Sequence, residues 1–213
     1  MTRQSSAEIL PAGRGKPEWS FYVGWIAVTF LCIPMALLLC IIILKIITFV
    51  VGDFVFVNGV RRITEDYLFM YVFVPSASIL TGALQYGLLR QYMPHMGGWV
   101  LATFAGWLLG VLLIALPTWV GWIASPITDL HLALLMMGFG IGLTQWLVLR
   151  RALPQAGWWI AATILGWLLL GLVNPGNSFN QYGILTLGFV PACLTAAVLA
   201  IQINRLPDTK PGI

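Results

Sequence analysis

The chain has 213 residues, of which 60% are hydrophobic and only 8% charged, and its mean hydropathy is +0.92. A soluble domain of this size carries roughly 25% charge, so the composition excludes a soluble globule and predicts an integral membrane protein. The formal net charge of +4 is scattered between apolar runs, which leaves no basic domain to bind nucleic acid.

Residues 1–18 carry Arg3, Arg14, Lys16, Pro11 and Pro17 and read as a short cytoplasmic tail. The apolar run that follows is too long for the h-region of a cleavable signal peptide and has no cleavage site. It predicts a first span over about residues 22–51. At ~1.5 Å per residue this exceeds a ~30 Å hydrocarbon core, so the helix is expected to tilt or project. Pro34 is placed to kink it, and Lys45 lies where it can snorkel outward. Residues 53–66 form the longest connection. Within it, β-branched and aromatic residues flank Asn58-Gly59, which predicts a hairpin closed by a type I′ turn.

Further spans are expected over about residues 67–90, 99–122, 131–150, 158–173 and 182–203. Pro117 falls close to the end of the third span, and Asn174-Pro175-Gly176-Asn177 is a helix stop. With residues 206–213 as a second tail, the fold class is an all-α integral membrane protein whose six transmembrane helices occupy 19–205.

Much of this domain appears twice. Residues 82–109 align without a gap to residues 142–169, 60 positions downstream, with about half the positions identical. The unit, 78–111 and again 138–171, is a helical hairpin entered from outside. Both copies point the same way, unlike the inverted repeats of many transporters. Fainter echoes lie at the ends. Gly24-Trp25 through Phe30 resembles Gly98-Trp99 through Phe104, and Phe189-Val190-Pro191 resembles Phe73-Val74-Pro75, with Gln202 and Arg205 near where Gln85 and Arg90 would fall. Pairing the sixth span with the first makes a third, split hairpin and an approximately threefold bundle.

Charge sets the expected orientation. Arg3, Arg14, Lys16, Arg90, Arg150, Arg151, Arg205 and Lys210 fall on one side, and Lys45, Arg61 and Arg62 on the other. The positive-inside rule puts both termini in the cytoplasm.

Most repeated residues have a packing explanation. Ser78/Gly82, Gly138/Gly142, Ala102/Gly106 and Ala162/Gly166 are small pairs four apart, suited to close helix approach. Gly97 and Gly157 suit a tight turn or a positive φ, and Trp99 and Trp159 suit the membrane interface. Gln85 and Gln145 lie about 7.5 Å inside the helix-end arginines. There they either bond to a neighbouring helix, through Thr103, Thr163 or a carbonyl, or line a polar path with Gln202. Arg90, Arg150 and Arg151 read as topology determinants facing lipid phosphate, or as an anionic-lipid pocket. Trp107 and Trp167 either fill the interior or stack on a pigment or quinone. His95 and His131 are isolated, a weak basis for ligating a tetrapyrrole metal. Cys32, Cys40 and Cys193 lie in apolar runs and read as small buried residues.

Catalysis has little support: no acidic residue falls deep in a span, and no protease, hydrolase or phosphate-binding motif occurs. The G-x-x-Q-[YW]-x-x-L-R … P-x-x-G-x-W … G-W-L-L pattern resembles that of bacterial multi-pass membrane proteins with repeated glutamine–tryptophan/tyrosine–arginine hairpins. That group has no established activity, so the resemblance carries over no site residues and no cofactor. It implies a bacterial inner membrane or an internal, photosynthetic-type membrane. The expected role is a non-enzymatic accessory or structural subunit of a membrane complex, with lipids and other subunits as partners. The alternatives are a small channel or transporter, and a pigment- or quinone-binding protein.

Overall fold

The computed structural model describes residues 18–93, 96–120, 130–173 and 188–205. Among them are six α-helices and one hairpin: α1 Trp19–Val51, β1 Phe54–Val57, β2 Val60–Ile63, α2 Thr64–Leu89, α3 Trp99–Trp119, α4 Leu130–Leu149, α5 Gly157–Val173 and α6 Phe189–Asn204. Each helix packs against its neighbours in sequence, and α6 packs against α1, so the helices close into a ring. Residues 1–17 and 206–213 of the two expected tails, Pro94, His95, residues 121–129 and residues 174–187, with Asn174–Asn177 and the expected start of the sixth span, lie outside the described residues.

The helices follow the apolar runs because uninterrupted Leu, Ile, Val and Ala leave the backbone no better partner than itself. In lipid that constraint is absolute. Four of the helices, α1 to α4, are long and apolar enough to cross a membrane, while the apolar parts of α5 and α6 are shorter, Gly157–Gly171 and Phe189–Asn204. Leu38, Ile42, Leu101, Leu112 and Leu165 are exposed on the outer surface of the ring. A water-facing surface of this kind would aggregate; against acyl chains it costs nothing.

α1 continues through Pro34 as one helix of 33 residues, about 50 Å long. Its far end is tied to α2. The Lys45 ammonium lies 2.7 Å from the Glu65 carboxylate, and the buried Thr64 hydroxyl donates to the Gly52 carbonyl at 2.7 Å. Glu65 and Asp66 occupy the first turn of α2, where the helix dipole favours negative charge. Between these ties projects the hairpin. Val57 pairs with Val60, and Asn58 and Gly59 have φ of 50° and 77°, the two positive values that a type I′ turn requires. The Arg61 guanidinium stacks 3.5 Å over the Phe54 ring. Positive φ does not extend to Gly97 or Gly157: among the described residues, the only glycines with it are Gly52 and Gly59. Gly97 lies in the turn before α3 and Gly157 opens α5, both in ordinary backbone that other residues adopt.

Small residues decide how close the helices come. A Cβ on Gly140 of α4 would lie 2.6 Å from the backbone nitrogen of Gly110 and 2.7 Å from the Gly106 carbonyl oxygen, both on α3. These are backbone atoms, which cannot rotate away. The core has two apolar layers. One surrounds Trp25, Leu89, Trp99, Leu149, Trp159 and Leu199. The other surrounds Ile33, Ala77, Trp107, Met137, Trp167 and Leu170.

Gly140→Ala is therefore expected to destabilise the bundle by about 1–3 kcal/mol, the usual scale of overpacking. Gly87→Ala is the control, because nothing lies within 4 Å of its added Cβ. Thermal melts in detergent compare them; equal melting temperatures would mean that α3 and α4 are not held by backbone contact at Gly140.

Candidate functional site: a tryptophan triad above a polar layer

Three indoles meet inside the ring. The ring centroids of Trp25 and Trp99 are 6.1 Å apart, those of Trp25 and Trp159 5.9 Å, and those of Trp99 and Trp159 5.7 Å. Every pair is edge-to-face, with interplanar angles of 66°, 77° and 72°. This geometry sets the positive edge of one ring against the negative face of the next, worth about 0.5–1.5 kcal/mol per pair. The residues come from α1, α3 and α5, and none is more than 1% exposed. Trp99 and Trp159 therefore face the bundle interior and are not exposed as lipid-facing anchors. Each finds a hydrogen-bond acceptor inside the bundle, which removes the reason for an indole to seek the interface.

Those acceptors form a polar layer beside the triad. Trp99 Nε1 donates to Gln85 Oε1 at 3.2 Å, and Trp159 Nε1 donates to Gln145 Oε1 at 3.0 Å. Because an indole only donates, it fixes which end of each amide is oxygen. The amide nitrogens then point the other way: Gln85 Nε2 donates to Thr29 Oγ1 and Gln145 Nε2 to Thr103 Oγ1, both at 3.0 Å. Thr103 and Thr163 turn their own protons back along the helix, to the carbonyls of Trp99 and Trp159 at 2.9 and 2.8 Å. Trp25 is held differently, its Nε1 donating to Thr195 Oγ1 at 3.1 Å.

A cavity of about 50 Å³ lies on the other side of this layer, lined by Thr29, Gln85, Thr103, Gln145, Thr163 and Thr195 together with Trp107 and Trp167. Trp107 and Trp167 contact each other edge-to-face at 5.8 Å. The polar groups of the lining are neutral hydroxyls and amides. Among the described residues no cluster of histidine, cysteine, aspartate or glutamate could hold a metal.

The other sequence-predicted residues lie elsewhere. Gln202 is 5% exposed, but its amide donates to the Gln155 carbonyl at 2.9 Å, at the end of the bundle bearing the helix-terminal arginines and away from the triad. Arg205 reaches the Gln155 side chain at 2.7 Å. Arg90, Arg150 and Arg151 are exposed at that same end, and the Arg150 guanidinium lies 5.1 Å from the Trp146 ring centre. Cys32 and Cys40 are buried and free. Sequence reasoning singled out neither Trp25 and Thr29 nor Thr195 as site residues. The first two carried a signal, the same four-residue spacing as Trp99 to Thr103. Thr195 was hidden because the Phe-Val-Pro echo aligns α6 with the wrong turn of α2. No protein family, curated protein or solved structure matches this chain.

Gln145→Leu removes two side-chain bonds and leaves Trp159 Nε1 without an acceptor. Membrane-protein hydrogen bonds average about 0.6 kcal/mol, and an unpaired buried donor adds about 1–3. The expected loss is therefore about 2–4 kcal/mol, read as a lower melting temperature with a red-shifted tryptophan emission. An unaltered melt would mean that the amide does not hold the indole.

Proposed function

We propose that this chain is a non-enzymatic integral membrane protein, an accessory or structural subunit of a larger complex in a bacterial inner or internal membrane. In this reading all six helices span, both termini are cytoplasmic, and the ring consists of parallel hairpin repeats, the third made by α6 and α1. It keeps company with the bacterial multi-pass proteins whose glutamine–tryptophan/tyrosine–arginine hairpins it resembles. The observation that carries it is the use of the repeated chemistry. Gln85 and Gln145 are engaged by Trp99, Trp159, Thr29 and Thr103, so the repeat's polar residues serve to join helices. Exposed Arg90, Arg150 and Arg151 then meet lipid phosphates or the charged surface of a neighbouring subunit.

The competing readings have less support. A conduction path along the axis would have to pass three indoles in mutual contact. A pigment or quinone stacked on Trp107 and Trp167 would need roughly 300 Å³ or more, against about 50 Å³ in the cavity they line.

Purification from native membrane in mild detergent should yield stoichiometric partner subunits and no visible absorption band, and liposomes containing the chain should show no solute flux above empty ones. Flux that falls with Gln145→Leu while the fold persists would replace this reading with a channel. Single cysteines at Val60 and Pro154 should label from opposite sides, Val60 from outside; labelling of Val60 from the cytoplasm would invert the topology.

A further inference from the structure

The polar layer is built from one bond pattern applied around the ring, and it breaks at one place. On α2, Gln85 joins Thr29 of α1 to Trp99 of α3. On α4, Gln145 joins Thr103 of α3 to Trp159 of α5. On α6 the same station is held by Thr195, which accepts from Trp25 of α1. The register is fixed independently: Leu89, Leu149 and Leu199, each four residues beyond these three side chains, are all 0% exposed. By the pattern, the α6 side chain should also donate to Thr163 of α5. Threonine stops at the γ position where glutamine continues to its amide, and the Thr195 proton already goes to the Pro191 carbonyl at 2.7 Å. Among the described residues, no donor is paired with Thr163 Oγ1.

The central cavity borders both Thr163 and Thr195. We infer that it is a hydration site, occupied by ordered water that takes the place of the missing α6 amide and bridges Thr163 to Thr195. The volume suffices, since a water needs about 10–15 Å³ of such space and the cavity offers about 50 Å³. The partners suffice too. Thr163 Oγ1 supplies an acceptor. Gln85 and Gln145 each have a second amide proton beyond the one already used, and both line the cavity. A wholly apolar cavity of this size would stay empty, and the hydroxyl and amide groups set into this otherwise apolar lining are what hold water here. The occupant is water or a solute no larger, because the space is about 50 Å³ and the bulky Trp107, Trp159 and Trp167 are part of its lining.

The direct test needs no variant. A structure of the wild-type protein at a resolution that shows waters should have density within hydrogen-bond distance of Thr163 Oγ1. An empty cavity overturns the inference, and so does density for a larger organic molecule. The second test uses substitutions. Thr195→Gln should supply the amide, displace the water and melt at least about 2 °C above the near-isosteric Thr195→Val, which leaves the Trp25 indole unpaired. Radiolytic hydroxyl labelling of the buried Trp159 peptide should be several-fold lower in Thr195→Gln than in wild type. If the glutamine variant melts at or below the valine variant, or labels as fast as wild type, no water stands in for an amide there.

Discussion

An indole N–H buried in an apolar interior must find an acceptor, and the described part of the bundle is arranged around meeting that demand three times. The solution is economical because the amide of glutamine is both acceptor and donor. Gln85 and Gln145 accept a hydrogen bond from the indole of the following odd-numbered helix and donate one from their own amide to a threonine on the preceding one. Each glutamine thus touches three helices at one level of the bundle. Thr103 can receive its amide because it turns its own proton back along the helix to the Trp99 carbonyl, a local bond that needs nothing from a neighbour.

Close backbone approach is the other half of the same requirement. A hydrogen bond between side chains on adjacent helices has a fixed reach, so the helices must be brought within it. Gly82 lies so close to α3 that an added Cβ would be 3.0 Å from the Val100 Cα, and Gly142 holds the same relation to the Ile160 Cα of α5 at 3.1 Å. Each of these glycines is three residues before its glutamine, on the same face one turn away. Packing and polar pairing therefore depend on each other: a side chain added at the glycine would move the amide away from its indole.

How much of this was legible in the sequence follows from which signals are local. The helices were, because a lipid-facing helix announces itself by composition; the described ends of the first five fall within about three residues of the expected ones, and the expected start of the sixth lies outside the described residues. The hairpin was, because Asn58-Gly59 encodes two positive φ values directly. The partnership of Gln85 and Gln145 with neighbouring helices was, as one of two readings, since an amide at that depth needs a partner. The triad was not. Trp99 and Trp159 stand at helix starts, where an indole ordinarily marks the interface, and only the folded ring shows that these two starts converge on Trp25 in the second turn of α1. Thr195 was not legible either, because a threonine in an apolar helix usually bonds its own backbone. It does so here as well as accepting from Trp25.

The polar layer contributes little to stability in sum. Five inter-helix side-chain bonds join it, Trp25–Thr195, Gln85–Thr29, Trp99–Gln85, Gln145–Thr103 and Trp159–Gln145. At about 0.6 kcal/mol each they amount to roughly 3 kcal/mol. Their larger effect is on register. Apart from the indoles and the close glycine contacts, the apolar faces are largely Leu, Ile, Val and Ala, and a helix that slid past its neighbour by a turn, about 5.4 Å, would still bury apolar surface. Such a slide would break both bonds of any glutamine it moved and leave an amide and an indole unpaired where lipid and apolar side chains offer nothing to replace them. The small energy of the correct bonds is thereby converted into a larger gap between the native register and its neighbours. Two distinct side chains, an indole and an amide, are needed for this, since a layer of one residue type that both donates and accepts could pair again after the slip.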